Sequence, residues 1–163
     1  MKTLLILRHA KSGWDEPNIA DHDRPLTERG KKDAKRIGQR LLERGLVPDQ
    51  IISSTAKRAR KTASKVAKAC GYAGEVEQTK RLYLASPPEI IEVLREVGDE
   101  CSTVLVVAHN PGLEDLLGQL TGHPQPMPTA TLAQVAIDSD HWQSLSVPAG
   151  GRLVQVWRPK ELG

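Results

Sequence analysis

The chain opens on a short apolar run, Thr3–Leu7, cut off by Arg8. Such a run reads as a buried strand. Residues 8–25 are polar, hold Gly13, Pro17 and Pro25, and read as a long loop. Thr27 then caps a helix running to about Arg44. Its apolar positions are Ala34, Ile37, Leu41 and Leu42, and Gly45 ends it. Asp49–Ser53 reads as a second strand. A helix follows over Ala56–Ala69, with Ala59, Ala63, Val66 and Cys70 on one face and Gly71 as its stop. Glu75–Gln78 is expected as a third strand. Ser86-Pro87-Pro88-Glu89 has capping-box spacing with proline at the first helical position. It opens a helix with Ile90, Ile91, Leu94 and Val97 inward. Thr103–Ala108 is the clearest buried strand. Asn110-Pro111 starts a further helix with Leu113, Leu116, Leu117 and Leu120 at helical spacing. After the proline-rich loop 122–128, Thr131–Ile137 and Arg152–Trp157 read as strands with no helix between them.

Strands alternating with helices predict an α/β fold, a three-layer sandwich with a mostly parallel central sheet. The last strand pair is expected to be antiparallel. At 163 residues the chain suits one domain, 1–163. In open α/β sheets ligands bind beyond the carboxyl ends of the strands, so those ends are the place to look.

Composition narrows the options. Lys and Arg number 23 against 20 Asp and Glu, a net charge of +3 that fits neither an acidic tail nor a histone-like polycation. With three Trp, two Tyr and no Phe, rings for stacking bases are scarce, and no nucleic-acid partner is expected. Cys70 and Cys101 form no C-x-x-C and are expected as reduced, buried thiols. The apolar start is too short for a signal-peptide core, and no run is long enough to span a membrane. A cytoplasmic protein without membrane attachment is the expectation.

Three strand exits carry the chemistry. The first ends in Arg8-His9, the second in Ser53-Ser54 ahead of Lys57-Arg58, and the fourth in His109-Asn110-Pro111. A single histidine at a strand end is ordinarily a hydrogen-bonded surface residue. Two histidines and two arginines brought to one edge suit phosphoryl transfer. Arginine forks bind phosphate oxygens and stay charged. Neutral histidine can attack phosphorus or carry a proton. Neighbouring arginines disfavour a charged imidazole and keep it nucleophilic near pH 7. A helix start after Asn110-Pro111 adds positive potential. There is no Walker-type glycine loop, and no cofactor is expected.

These residues resemble a known family. Leu7-Arg8-His9-Ala10-Lys11-Ser12 is similar to the Arg-His-Gly signature of the histidine phosphatase superfamily, with the phosphoglycerate-mutase-like fold. It resembles most the short SixA-type phosphohistidine phosphatases. Asp23-Arg24-Pro25-Leu26-Thr27 with Gly30, Ser53-Ser54 with Arg58-Ala59 and Thr62, and Val106–Pro111 match further family segments in the same order. The resemblance implies that His9 is the phosphorylated nucleophile. It implies that Arg8, Arg58 and His109 hold the phosphoryl oxygens. Arg24 is a further pocket candidate, and Ser12 and Asn110 are candidates for added hydrogen bonds.

Three departures matter. Ala10 stands where many members have glycine. Asp15 stands where mutase-like members often carry asparagine, so it must turn outward or be protonated. The stretch Leu82-Tyr83-Leu84-Ala85-Ser86 lacks the glutamate that serves many members as general acid. An alkoxide leaving group needs a proton, whereas imidazole leaving from phosphohistidine needs much less help. The expected substrate is therefore phosphohistidine on a partner protein, ahead of a small phosphorylated substrate. Glu89 is expected to serve the capping box. The helix carrying Lys57, Arg58, Arg60, Lys61, Lys65 and Lys68 suits an acidic partner, although solvated charges explain all but Arg58.

Other readings stand beside this one: a broad-specificity phosphomonoesterase, and a phosphate-binding regulator without catalysis. A zinc hydrolase built on His9, His22, His109, His123 and His141 follows no metal spacing, and no metal is expected. His123 and His141 read as surface residues. Trp14, Trp142 and Trp157 read as core or rim packing, with Trp14 nearest the mouth of the site.

Overall fold

Thr103–Ala108 has no polar break after its first residue, and everything from Val104 onward is buried. Such a run suits a strand covered on both faces. In the computed structural model, which describes residues 1–14, 16–148 and 150–162, it is the fourth of six strands. The strands are β1 (Lys2–Arg8), β2 (Gln50–Ser54), β3 (Glu77–Thr79), β4 (Thr103–Ala108), β5 (Leu132–Ile137) and β6 (Gly151–Trp157). The helices are α1 (Glu28–Glu43), α2 (Lys57–Cys70), α3 (Pro87–Arg95) and α4 (Gly112–Thr121). The sheet order is β3-β2-β4-β1-β5-β6. The first four strands run parallel, β5 pairs antiparallel with β1, and β6 pairs antiparallel with β5.

Strand periodicity divides the core in two. Leu4, Ile6, Val104 and Val106 face one side, where α3 and α4 pack with Leu94, Leu113 and Leu117. Leu5, Leu7, Leu105 and Val107 face the other, against Ile37 and Leu41 of α1 and Ala59 and Val66 of α2. The three-layer architecture follows. Gly38 lets α1 and α2 approach closely, because a Cβ there would overlap Ala69 and the Val66 carbonyl.

Several local expectations shift. Leu42 is exposed, because the inward stripe of α1 runs Ala34, Ile37, Gly38, Leu41. The third strand lies at Glu77–Thr79 rather than Glu75–Gln78. It is a polar edge strand paired only to Ile52–Ser54, and its periodicity carries little burial signal. A 3-10 turn, Trp142–Ser144, sits between β5 and β6 and buries Trp142, whose indole N–H donates to the Cys101 carbonyl at 2.7 Å. Cys70 is buried as a free thiol, but Cys101, in the loop before β4, is only half-buried. Trp14 is exposed, while Trp157 is buried. No helix among the described residues is long and apolar enough to cross a membrane.

The order β2-β4-β1 sets three strand exits side by side. Arg8 pairs with Ala108, so His9 and His109 leave the sheet as neighbours. The His9 N–H donates to the Ala108 carbonyl at 3.1 Å.

Candidate active site

His9 and His109 are both nearly fully buried, and their ring centroids lie 5.2 Å apart. His9 Nδ1 lies 2.8 Å from the Ala10 carbonyl. A carbonyl only accepts, so the proton sits on Nδ1 and Nε2 keeps a bare lone pair. Burial is the main reason the His9 pKa falls to about 4, and Arg58, Arg8 and Arg24 depress it further. His109 falls to about 3, by burial first and then by the neighbouring His9 and Arg58. Both rings are neutral at pH 7. The arginines act in the expected direction, although burial has the larger effect.

The loop after His9 is clamped from two helices. The Ala10 N–H donates to Thr62 Oγ1 at 2.9 Å, and the Thr62 hydroxyl donates to the Arg58 carbonyl at 2.6 Å. Thr62 thus ties the loop after His9 to the turn of α2 that carries Arg58. On the other side, the Thr27 N–H donates to the Lys11 carbonyl at 2.9 Å, and Thr27 Oγ1 accepts the Gly30 N–H at 3.0 Å. A Cβ at Gly30 would overlap the same Lys11 carbonyl. The Thr27–Gly30 spacing therefore caps α1 and lets its first turn touch the loop.

His109 Nε2 meets Ser54 Oγ at 2.8 Å, and Ser54 Oγ also accepts the Ala56 N–H at 3.2 Å. A serine oxygen accepting from Ala56 can donate its own proton to Nε2. His109 Nδ1 then carries hydrogen as a donor. It has no partner among the described residues, and neither do Arg8 Nε and Arg24 Nε, all three being buried. Buried donors without partners are uncommon. Arg8 and Arg24 are near enough to His9 to lower its pKa, and donors of this kind suit an oxyanion.

Asp21 organises the arginines, a role that sequence patterning did not reveal. Arg58 Nη1 donates to its carbonyl at 2.7 Å and Nη2 to its Oδ2 at 3.1 Å. Arg24 Nη1 donates to Oδ1 at 3.1 Å, and the Tyr83 hydroxyl to Oδ2 at 2.5 Å. These donors, Tyr83 foremost, hold the Asp21 carboxyl down at about 2, so it is ionised. Tyr83 sets its ring edge-on to His109 at 5.5 Å and to His22 at 5.0 Å. Asp21 and Tyr83 lie in polar or irregular segments without periodicity. The sequence signal was their closeness to Arg24 and to the stretch lacking an acid.

The remaining candidates take separate places. Ser12 Oγ accepts from Arg24 Nη2 at 2.6 Å, and the Arg24 guanidinium stacks 4.0 Å over the Trp14 ring. The Asn110 amide donates to Glu114 at 3.0 Å and to the Met127 carbonyl at 2.9 Å, so it braces the 122–128 loop. Arg8 Nη1 donates to that same carbonyl at 3.2 Å. Glu89 accepts from the Ser86 N–H and hydroxyl at 3.0 and 2.8 Å, the capping use expected of it. Asp15 lies outside the described residues. His22 bonds Thr55 at 2.9 Å, and His123 and His141 are exposed. No group of three or more metal-ligating side chains occurs among the described residues.

Fold and site together define an α/β protein with two buried histidines and an arginine cluster at the carboxyl ends of its central strands. Residues 4–83 match the model of the histidine phosphatase superfamily, branch 1. A chloroplastic protein of Arabidopsis thaliana is 31% identical over 93% of this chain and 75% of its own length. A SixA-type structure from Nakamurella multipartitia superposes with a TM-score of 0.84 at 30% identity, over 97% of this chain and 96% of that one. The protein histidine phosphatase SixA complexed with tungstate also gives 0.84, at 22% identity, over 99% of each chain, a likeness of fold. The chain belongs to the histidine phosphatase superfamily and is SixA-like within it.

Proposed function

We propose that this phosphatase carries a phosphoryl group on His9 and takes it from phosphohistidine on a partner protein. The observation that supports this most is the His9 tautomer, with Nδ1 bound to Ala10 and Nε2 left with its lone pair, on a ring that burial, together with Arg58, Arg8 and Arg24, keeps neutral. In the first step the Nε2 lone pair forms a bond to phosphorus. The P–N bond of the substrate breaks, and its electron pair returns to the departing imidazole. In the second step a water oxygen attacks phosphorus and the P–Nε2 bond breaks. Inorganic phosphate leaves, and the proton lost by water stays on the phosphate. Arg8, Arg58 and the His109 Nδ1–H meet the charge on the equatorial oxygens in both steps.

The substrate preference rests on the leaving group. Residues 82–86 place no carboxylate at the site, and Glu89 is occupied by Ser86. Protonated phosphoimidazole releases a neutral imidazole and needs no further acid. The SixA name of the matched structures points the same way.

The test is a panel of a phosphohistidine protein, free phosphohistidine and a simple alkyl phosphate, run with wild type and His9→Ala. Acid-labile label is followed on His9. Fastest turnover of phosphohistidine, with no label and no activity in His9→Ala, is expected. A clear preference for the alkyl ester, or full activity in His9→Ala, would overturn the reading. Phosphate binding without any label would show a regulator instead.

A further inference from the structure

Arg24 and Arg58 both end on the Asp21 carboxylate, but the Arg8 guanidinium ends on backbone: its Nη1 donates to the Met127 carbonyl at 3.2 Å. The aim of Arg8 therefore depends on where Met127 is held. The Met127 N–H donates to Glu114 Oε1 at 2.7 Å, and the Asn110 amide donates to the Met127 carbonyl at 2.9 Å. The same Glu114 oxygen accepts the Asn110 amide at 3.0 Å, and Asn110 Oδ1 accepts the Glu114 N–H at 3.3 Å. This exchange fixes the Asn110 amide with its NH2 toward the loop. Turned over, it would set one oxygen against another at the Met127 carbonyl. Glu114 thus holds the Met127 N–H directly and the Met127 carbonyl through Asn110. Beyond Met127, the Ala130 N–H donates to the His9 carbonyl at 3.0 Å, and the Arg8 N–H donates to the Thr131 carbonyl at 3.1 Å. The segment 127–131 is therefore tied to the Arg8-His9 backbone at one end and to Glu114 at the other.

We propose that Glu114 is a positioning residue for the phosphoryl site: by holding Met127 and Asn110 it sets where the Arg8 guanidinium points. This rests on the reading above that Arg8 meets the phosphoryl oxygens. A carboxylate in the first turn of a helix is favourable by itself, and α4 has two, Glu114 and Asp115. Only the aim differs. Asp115 is exposed, whereas Glu114 is half-buried and turned to a backbone N–H 13 residues further on. Helix stability accounts for a charge at this end of α4 and not for that contact. Glu114 is also near enough to Arg8 for its charge to oppose the burial that lowers the Arg8 pKa.

The experiment is a double-mutant cycle of wild type, Glu114→Ala, Arg8→Ala and the double variant, with Glu114→Gln as the conservative change. It reads kcat/KM on phosphohistidine or an alkyl phosphate, whichever wild type turns over faster, and competitive inhibition by inorganic phosphate. Glu114→Ala should lower kcat/KM by about 10-fold and weaken phosphate inhibition by a similar factor, the cost of a misplaced group. With Arg8 already removed, the same substitution should cost less than about 2-fold, because its effect passes through Arg8. Glu114→Gln keeps an acceptor oxygen and Arg8 stays charged, so it should lie within about 3-fold of wild type. Glu114→Asp keeps the charge but draws the oxygen back by one methylene; it should show the same coupling to Arg8, and carries the cycle if the alanine variant fails to fold. Equal losses with and without Arg8 would mark a merely structural role and overturn the proposal. So would a glutamine variant no better than alanine, or wild-type activity in Glu114→Ala beside an impaired Arg8→Ala. Full activity in Arg8→Ala would instead overturn the phosphoryl role of Arg8, and this proposal with it.

Discussion

Arg58 is held by Asp21 from two directions, by the backbone carbonyl at 2.7 Å and by the carboxylate at 3.1 Å. The guanidinium is almost fully buried, and this one residue orients it while its charge is offset. The same carboxylate takes Arg24 and Tyr83, so a single side chain sets the aim of two cations and an aromatic ring.

Asp21→Asn keeps the backbone acceptor for Arg58 and removes the charge that fixes its fork. A small misplacement of a positioning group can cost about 10²-fold in rate. The expected result is a fall of that order in kcat/KM with thermal unfolding little changed. Activity equal to wild type would show that Asp21 does not position the arginines.

The buried imidazoles make stability depend on pH. Their folded pKa values, about 4 for His9 and about 3 for His109, lie below the reference value of 6.5. Between these limits the unfolded chain binds more protons. Their contribution is fully present above about pH 6.5 and is lost as pH falls toward 4 and then 3. Melting temperature should decline over that window. His109→Gln should flatten the decline, as followed by circular dichroism. An equally steep profile in the variant would contradict the assignment.

Gly30→Ala places a methyl group against the Lys11 carbonyl, which is backbone and cannot swing aside. Overpacking of this kind costs about 1–3 kcal/mol. Because Lys11 lies two residues past His9, loss of activity should accompany the loss of stability. Denaturant unfolding and kcat/KM on one preparation check both. A stable variant with normal turnover would show that the α1 contact does not hold the loop.

Metal removal should leave turnover intact, since the proposed steps use imidazole and arginine groups alone. Full activity in excess chelator is expected. Loss that zinc or magnesium restores would require a different mechanism.

Patterning along the chain was enough to place the helices, the central strands and the layers, because each rests on burial with a period of 3.6 or 2. The Arg8-His9 and His109 strand exits were legible for the same reason: a central strand ends where its apolar run ends. Leu42 was misread because an apolar residue beside the inward stripe looks like part of it. The polar edge strand β3 was displaced because its ladder bonds leave little trace in side-chain type.

The partners that Asp21, Tyr83 and Ser54 meet were decided by the tertiary structure alone. Asp21 reaches Arg58 across 37 residues of chain and Tyr83 across 62. Polar residues in irregular segments carry no periodicity, so nothing local marks which partner a carboxylate will meet. The path of the loops over the sheet edge decides it. Local order determined where His9 and His109 would emerge. Long-range packing decided which groups would aim the arginines beside them, and that Asn110 would brace a loop.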